Sequence, residues 1–286
     1  MTDTSQPKMI GTFLGVFTPT ILTILGVILF LRTGWLVGHM GIIRTLLIVI
    51  IAHAITVVTT LSFSSVATNT EVGGGGAYYI ISRSLGIDIG GAVGLPLFLA
   101  QAFSVTLYAY GLAESLRIIW PGLPLQPAAF GVVLAVGLVS LPGAGWAMKS
   151  QVPVIALVAI ALCALAVGAL SGARADALDL SVASGEVPLW SAFSIFFPAV
   201  TGVMAGLGLS GDLRDPRRSI PFGSLGAVLV GLLVYLAVPV LLVMGASPEL
   251  LRSDSLVWLH IAPYLSLIHI SEPTRQPATS RMPSSA

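Results

Sequence analysis

Charged residues are so widely spaced in this chain that the gaps between them limit what it can fold into. Between Lys8 and Arg32 lie 23 uncharged residues, and the later gaps are as long: 26 from Arg44 to Glu71, 25 from Asp88 to Glu114, 31 from Arg117 to Lys149. Lys149 to Arg174 leaves 24, Glu186 to Asp212 leaves 25 and Arg218 to Glu249 leaves 30. These gaps are mainly apolar: 56% of the 286 residues are hydrophobic and 9% charged, where a soluble domain carries about 25% charged residues. A helix of roughly 20 apolar residues crosses a bilayer. In lipid a helix satisfies its own backbone, which an open sheet cannot do. The chain therefore reads as an all-α integral membrane protein with seven spans. The first apolar run is too long for a cleaved leader and is followed by further spans. A net charge of +1 argues against a nucleic-acid partner. Cys163, alone in an apolar run, excludes a disulfide framework.

Three parts follow from this pattern. Residues 1–10 read as a cytoplasmic N-terminus, 11–265 as a transmembrane domain of seven spans plus the start of an eighth, and 266–286 as a non-native tail resembling translated sequencing-adapter read-through. Placing the basic cluster Arg214, Arg217 and Arg218 inside sets the orientation. Glu71 to Arg83, with four consecutive glycines, has no following Gly-Lys-Ser/Thr and no preceding strand, so it is not a nucleotide loop. It reads as a tight or amphipathic connection. In the second span His53 is either a proton carrier or a histidine bonded to a neighbour. In the third, Gln101, Tyr108 and Ser115 share one face, which points polar groups into a bundle rather than to lipid.

The sixth apolar run, Ala192 to Asp212, is built to be irregular. Pro198, Thr201, Gly202 and Gly206 sit in its middle. Proline removes a backbone donor and glycine is a poor helix former. A helix broken in hydrocarbon exposes N–H and C=O groups, at several kcal/mol each unless something satisfies them. We expect an ion to do so. The first span echoes this weakly, with Pro19, Thr23 and Gly26-Val27-Ile28. A broken helix opening each half is the pattern of inverted-repeat transporters, whose half-helices offer N–H groups to anions and carbonyls to cations.

Three segments carry a resemblance. LGVILFLRTGWLVGHMG (25–41), ATNTEVGGGGAYYIISRSLG (67–86) and IFFPAVTGVMAGLGLSGDLRDPRRSIPFGSL (195–225) resemble the cation–chloride cotransporters of the amino acid–polyamine–cation superfamily. The resemblance spans residues 12–246. It implies an inverted-repeat transporter fold with broken first and sixth helices, truncated in the second repeat. It also implies secondary active symport by alternating access at a multi-pass site in the plasma (inner) membrane. The implied partners are chloride, potassium and the lipid bilayer; sodium and a homodimer are left open, and no cofactor or enzyme chemistry is implied.

Carried over position by position, the resemblance implies potassium at Thr23, Ile24, Tyr108, Pro198 and Thr201. One chloride falls on Gly26, Val27 and Ile28, and a second on Gly202, Val203 and Met204. Arg32 and Glu114 match an outer-gate ion pair. Two departures stand out: the family's Asn-Ile-Trp reads Thr23-Ile24-Leu25, and the eighth-span sodium ligands lie beyond this chain. The competing readings are an amino-acid or polyamine permease on the same fold, and a channel or non-transporting scaffold.

Overall fold

The structure, a computed structural model, describes residues 9–69, 74–141, 144–172, 187–255 and 257–262. Residues 1–8, 70–73 with the first glycine of the run, Pro142-Gly143, 173–186, Leu256 and 263–286 lie outside the described residues.

A helical stretch of 57 residues, Phe13–Asn69, comes first. Straight, it would be about 85 Å long, nearly three bilayer cores, so it has to be interrupted. It opens as a π-helical turn (Phe13–Phe17), continues as α1 (Thr18–Ile24), breaks at Leu25-Gly26 and resumes as α2 (Val27–Asn69). Within α2, Gly41 takes φ 71° and ψ 167°, a conformation essentially reserved for glycine, and divides it into arms 27–40 and 42–69. Thr45 closes the bend, its hydroxyl donating to Gly41 O at 2.8 Å and reaching Leu36 O at 3.5 Å. The first arm completes the first span and the second arm is the second span.

The chain continues through α3 (Gly76–Leu85), α4 (Ile87–Ile119), α5 (Leu125–Ser140) and α6 (Ala144–Ser171). α7 (Leu189–Phe196) passes into 3₁₀ turns at Phe197–Val200 and Ala205–Asp212. α8 (Pro216–Gly245) and the short α9 (Pro248–Ser253) and α10 (Val257–Ile261) follow. Among the described residues, five stretches are long and apolar enough to cross a membrane: 13–69, 87–117, 148–171, 189–212 and 216–245. The fourth expected span is shorter, at 16 residues. Its uncharged gap also holds the turn at 121–124, and Pro124, in extended backbone, sets where α5 starts.

The two broken spans are packed at the centre. α2 and α8 make the most extensive helix contact. α8 starts where Asp215 accepts the Arg218 amide at 3.3 Å with Pro216 in the first turn, a favoured N-terminus. Its Gly231 lies against α1, where a Cβ would come 2.7 Å from Ile24 Cγ2. Small residues allow that approach between helices in lipid. Before the first span, Ile10 pairs with the end of the sixth: its amide donates to Asp212 O (2.9 Å) and its carbonyl accepts from the Arg214 amide (3.0 Å). A Thr12–Ser219 hydroxyl contact of 2.9 Å reinforces this clamp. Cys163 faces outward from α6.

Candidate functional site

The first break is a helix end followed at once by a helix start. Leu25 still donates to Ile21 O at 2.8 Å, but the last carbonyls of α1 lose their partners one turn on. Two phenols from other spans take up two of them. The Tyr108 hydroxyl lies 3.4 Å from Thr23 O, and the Tyr235 hydroxyl donates to Ile24 O at 2.9 Å. Thr23 donates back to Pro19 O at 2.7 Å. On the far side, Val27 and Ile28 open α2, where a first helical turn leaves its amides without helical acceptors.

The second break is wider. Thr201 is extended (ψ 175°) and Gly202 has φ 96°, in the left-handed region. No α-helix resumes; the chain turns instead into the 3₁₀ segment Ala205–Asp212, unusually long for that geometry. Thr201 donates to Pro198 O at 2.8 Å. Among the described residues the amides of Gly202, Val203 and Met204 make no backbone hydrogen bond. Gly202 rests on Thr23, so any Cβ there would collide with the Thr23 side chain. The two breaks therefore touch.

Beside the contact is a cavity of about 570 Å³. Its wall combines Thr23, Thr201 and the 202–204 backbone with Tyr108, Ser104 and Gln101 of α4 and Thr56 and Thr59 of α2. The hydroxyl protons on this wall are already used. Thr23 and Thr201 donate as above, Thr56 to His53 O (3.0 Å), Thr59 to Ile55 O (2.8 Å) and Ser104 to Ala100 O (2.8 Å). A hydroxyl has one proton and two lone pairs. Each therefore turns only lone pairs to the cavity, an environment that suits a cation. The donors left for an anion are the backbone amides at the break and the side-chain NH2 of Gln101.

The sequence-predicted residues are not all on one wall. Thr23, Tyr108, Thr201, Gly202, Val203 and Met204 line the main cavity; Ile24 and Pro198 do not. Gly26 lines a recess of about 350 Å³ on the other side of Tyr108, shared with Gln151 of α6. Val27 and Ile28 line a smaller space of about 150 Å³ with Arg32 and Glu114. That pair is bridged at 3.7 Å with both side chains half-exposed. His53 is buried at 2% exposure. Its Nδ1 meets Val49 O at 3.0 Å and so carries the hydrogen, because a carbonyl can only accept.

Four participants escaped sequence reasoning: Thr56, Thr59, Gln151 and Tyr235. The threonines are common helix back-bonders, with no mark of what they face. Gln151 sits two residues from Lys149 and reads as span edge. Tyr235 did carry a signal, a lone phenol in the apolar run LLVYLAV, since a hydroxyl inside a membrane needs a partner.

Two spans interrupted where they touch, around a cavity with oxygens on one wall and free amides at one end, define an all-α, multi-pass membrane protein of transporter architecture. The chain belongs to the amino acid permease family, whose family model matches residues 15–271. It is similar to solute carrier family 12 member 8 of Mus musculus, 36% identical over 270 residues, covering 88% of this chain and 38% of that protein. Solute carrier family 12 member 2 of Homo sapiens is 35% identical over 275 residues (84% and 22%). The bumetanide-sensitive sodium-(potassium)-chloride cotransporter of Manduca sexta is 37% identical over 291 residues (88% and 27%). The chain thus spans well under half the length of these relatives.

Proposed function

We propose that this chain is the ion-binding part of a secondary symporter that moves chloride together with potassium by alternating access in the plasma membrane. One observation carries the reading: the cavity joins hydroxyls with lone pairs only to a run of unbonded amides at the Gly202 break. A cation is served by oxygens at one end and an anion by N–H groups at the other, and each neutralises the other in a low-dielectric site. The Tyr108 contact to Thr23 O is long and lies on the cavity wall, so its phenol oxygen is available to join the cation shell. The chloride on Gly26-Val27-Ile28 belongs in this reading, through Val27 and Ile28, to the side of the Arg32–Glu114 pair. The similarity to a sodium-(potassium)-chloride cotransporter supports the ion pair chosen. Sodium is not assigned, because Leu25 stands where the family pattern has the tryptophan tied to sodium.

The test is rubidium uptake into proteoliposomes holding the full-length protein, with chloride present or replaced by gluconate. Uptake should collapse without chloride; uptake indifferent to the replacement would overturn the reading. A second reading has its own support. The matching family model is that of amino acid permeases, and about 570 Å³ suits a small organic solute. It predicts uptake of an amino acid or polyamine that ignores external chloride.

A further inference from the structure

Gly94, Gln101 and Tyr108 fall seven residues apart on one face of α4, about 10 Å from one to the next. Tyr108 stands at the first break, and Glu114 lies beyond it in the pair with Arg32. Gln101 lies in the opposite direction along the helix. There the main cavity adjoins a recess of about 260 Å³ at the start of α3, and Leu97, Gln101 and Met204 border both spaces. Gln101 is the one polar side chain among the residues lining that recess. Among the described residues it makes no hydrogen bond. An amide side chain inside a membrane domain is costly unless water or a ligand pairs with it.

We propose that Gln101 is an anion-binding residue: its side-chain NH2 donates to a chloride held by the Gly202, Val203 and Met204 amides. The inference rests on the potassium–chloride reading and deepens it, by giving the anion a side-chain partner. Donors are the scarce groups in this cavity. The threonine and serine hydroxyls around it have spent their protons on backbone carbonyls, so a cation meets several oxygens and an anion meets few N–H groups. Gln101 adds two N–H groups, neither of them engaged. Its place is also right. Met204 carries the last of the three unbonded amides and shares with Gln101 the border of both spaces, so the side chain stands at the amide end of the cavity. With no partner to fix it, the carboxamide is free to turn its nitrogen toward the anion. A neutral donor also suits an ion that must leave again, since transport needs binding weak enough to release.

Gln101→Met keeps the length of the side chain and removes both N–H groups. In full-length protein in proteoliposomes, the chloride concentration giving half-maximal rubidium uptake should rise about tenfold, the worth of one hydrogen bond to a charged group. Half-saturation by rubidium, read at saturating chloride, should stay close to that of the wild type. Gln101→Asn keeps the amide but draws it back by one carbon. It should raise the chloride value about threefold, and it decides if Gln101→Met does not assemble. Neither variant should lower the melting temperature in detergent, because the side chain holds nothing within the protein. An unchanged chloride value in the deciding variant overturns the proposal, and a lowered melting temperature beside it would make the side chain structural. An equal rise for rubidium at saturating chloride overturns it too, since the whole cavity would then be disturbed. If wild-type rubidium uptake already ignores chloride, the symport reading falls and the proposal falls with it. If the wild type depends on chloride and the variants keep its chloride value, the proposal falls alone.

Discussion

At the scale of single residues, the site depends on which atoms are left over after the protein has satisfied itself. Tyr108 is the movable phenol, so Tyr108→Phe should raise half-saturating rubidium about tenfold in uptake assays and leave chloride nearly unaffected. Gly202 is constrained twice, by φ 96° and by its contact with Thr23. Gly202→Ala adds strain of about 1–3 kcal/mol and a clash of similar size. It should abolish chloride-dependent uptake and lower the melting temperature in detergent. Resemblance pointed to both residues, but not to why each is needed. That a threonine's proton is spent on Pro198 O or Pro19 O is a matter of angles at two particular breaks.

At the scale of elements, each interruption has its own cause. Gly41 bends the first long stretch into two spans, and the bend tolerates no side chain without strain. Gly41→Ala should cost about 1–3 kcal/mol, read as a lower unfolding midpoint, while leaving the rubidium half-saturation of the surviving protein unchanged. The charge gaps located the two spans on either side of this bend, because Arg44 falls just beyond it. They overestimated α5, because uncharged turn residues count toward a gap as readily as helical ones. The breaks in the first and sixth spans were legible as regions. Their positions were less so. In the first span the helix survives Pro19, which directly follows the π-helical turn Phe13–Phe17 and Thr18, and fails six residues later at Leu25-Gly26.

At the scale of the whole molecule, the Arg32–Glu114 pair bridges two spans on one side of the breaks and the large cavity lies beside them. The first and third spans, which also touch at Gly111–Val27 and Tyr108–Thr23, are tied by these two charges. Reversing one, as in Arg32→Glu, should part them. A cysteine placed at Ser104 in a Cys163→Ser background should then react about two- to fivefold faster with an external thiol reagent. Adding Glu114→Arg should restore the original rate. The modest size follows from the 3.7 Å separation and the half-exposure of both partners. Equal labelling in all three proteins would remove this pair from the gate.

What the sequence by itself determined is the medium and the plan: spacing of charge demands a bilayer, and the clustered proline and glycines of the sixth apolar run mark an interrupted span, whereas the single prolines Pro96, Pro153 and Pro239 leave α4, α6 and α8 continuous. These are consequences of solvation and backbone sterics, and they act locally along the chain. What only the tertiary structure decided is which orphaned groups meet. Tyr235 finds Ile24 O from 211 residues away, and Gly202 finds Thr23. Two half-satisfied breaks become one site because each is the nearest surface against which the other can be packed.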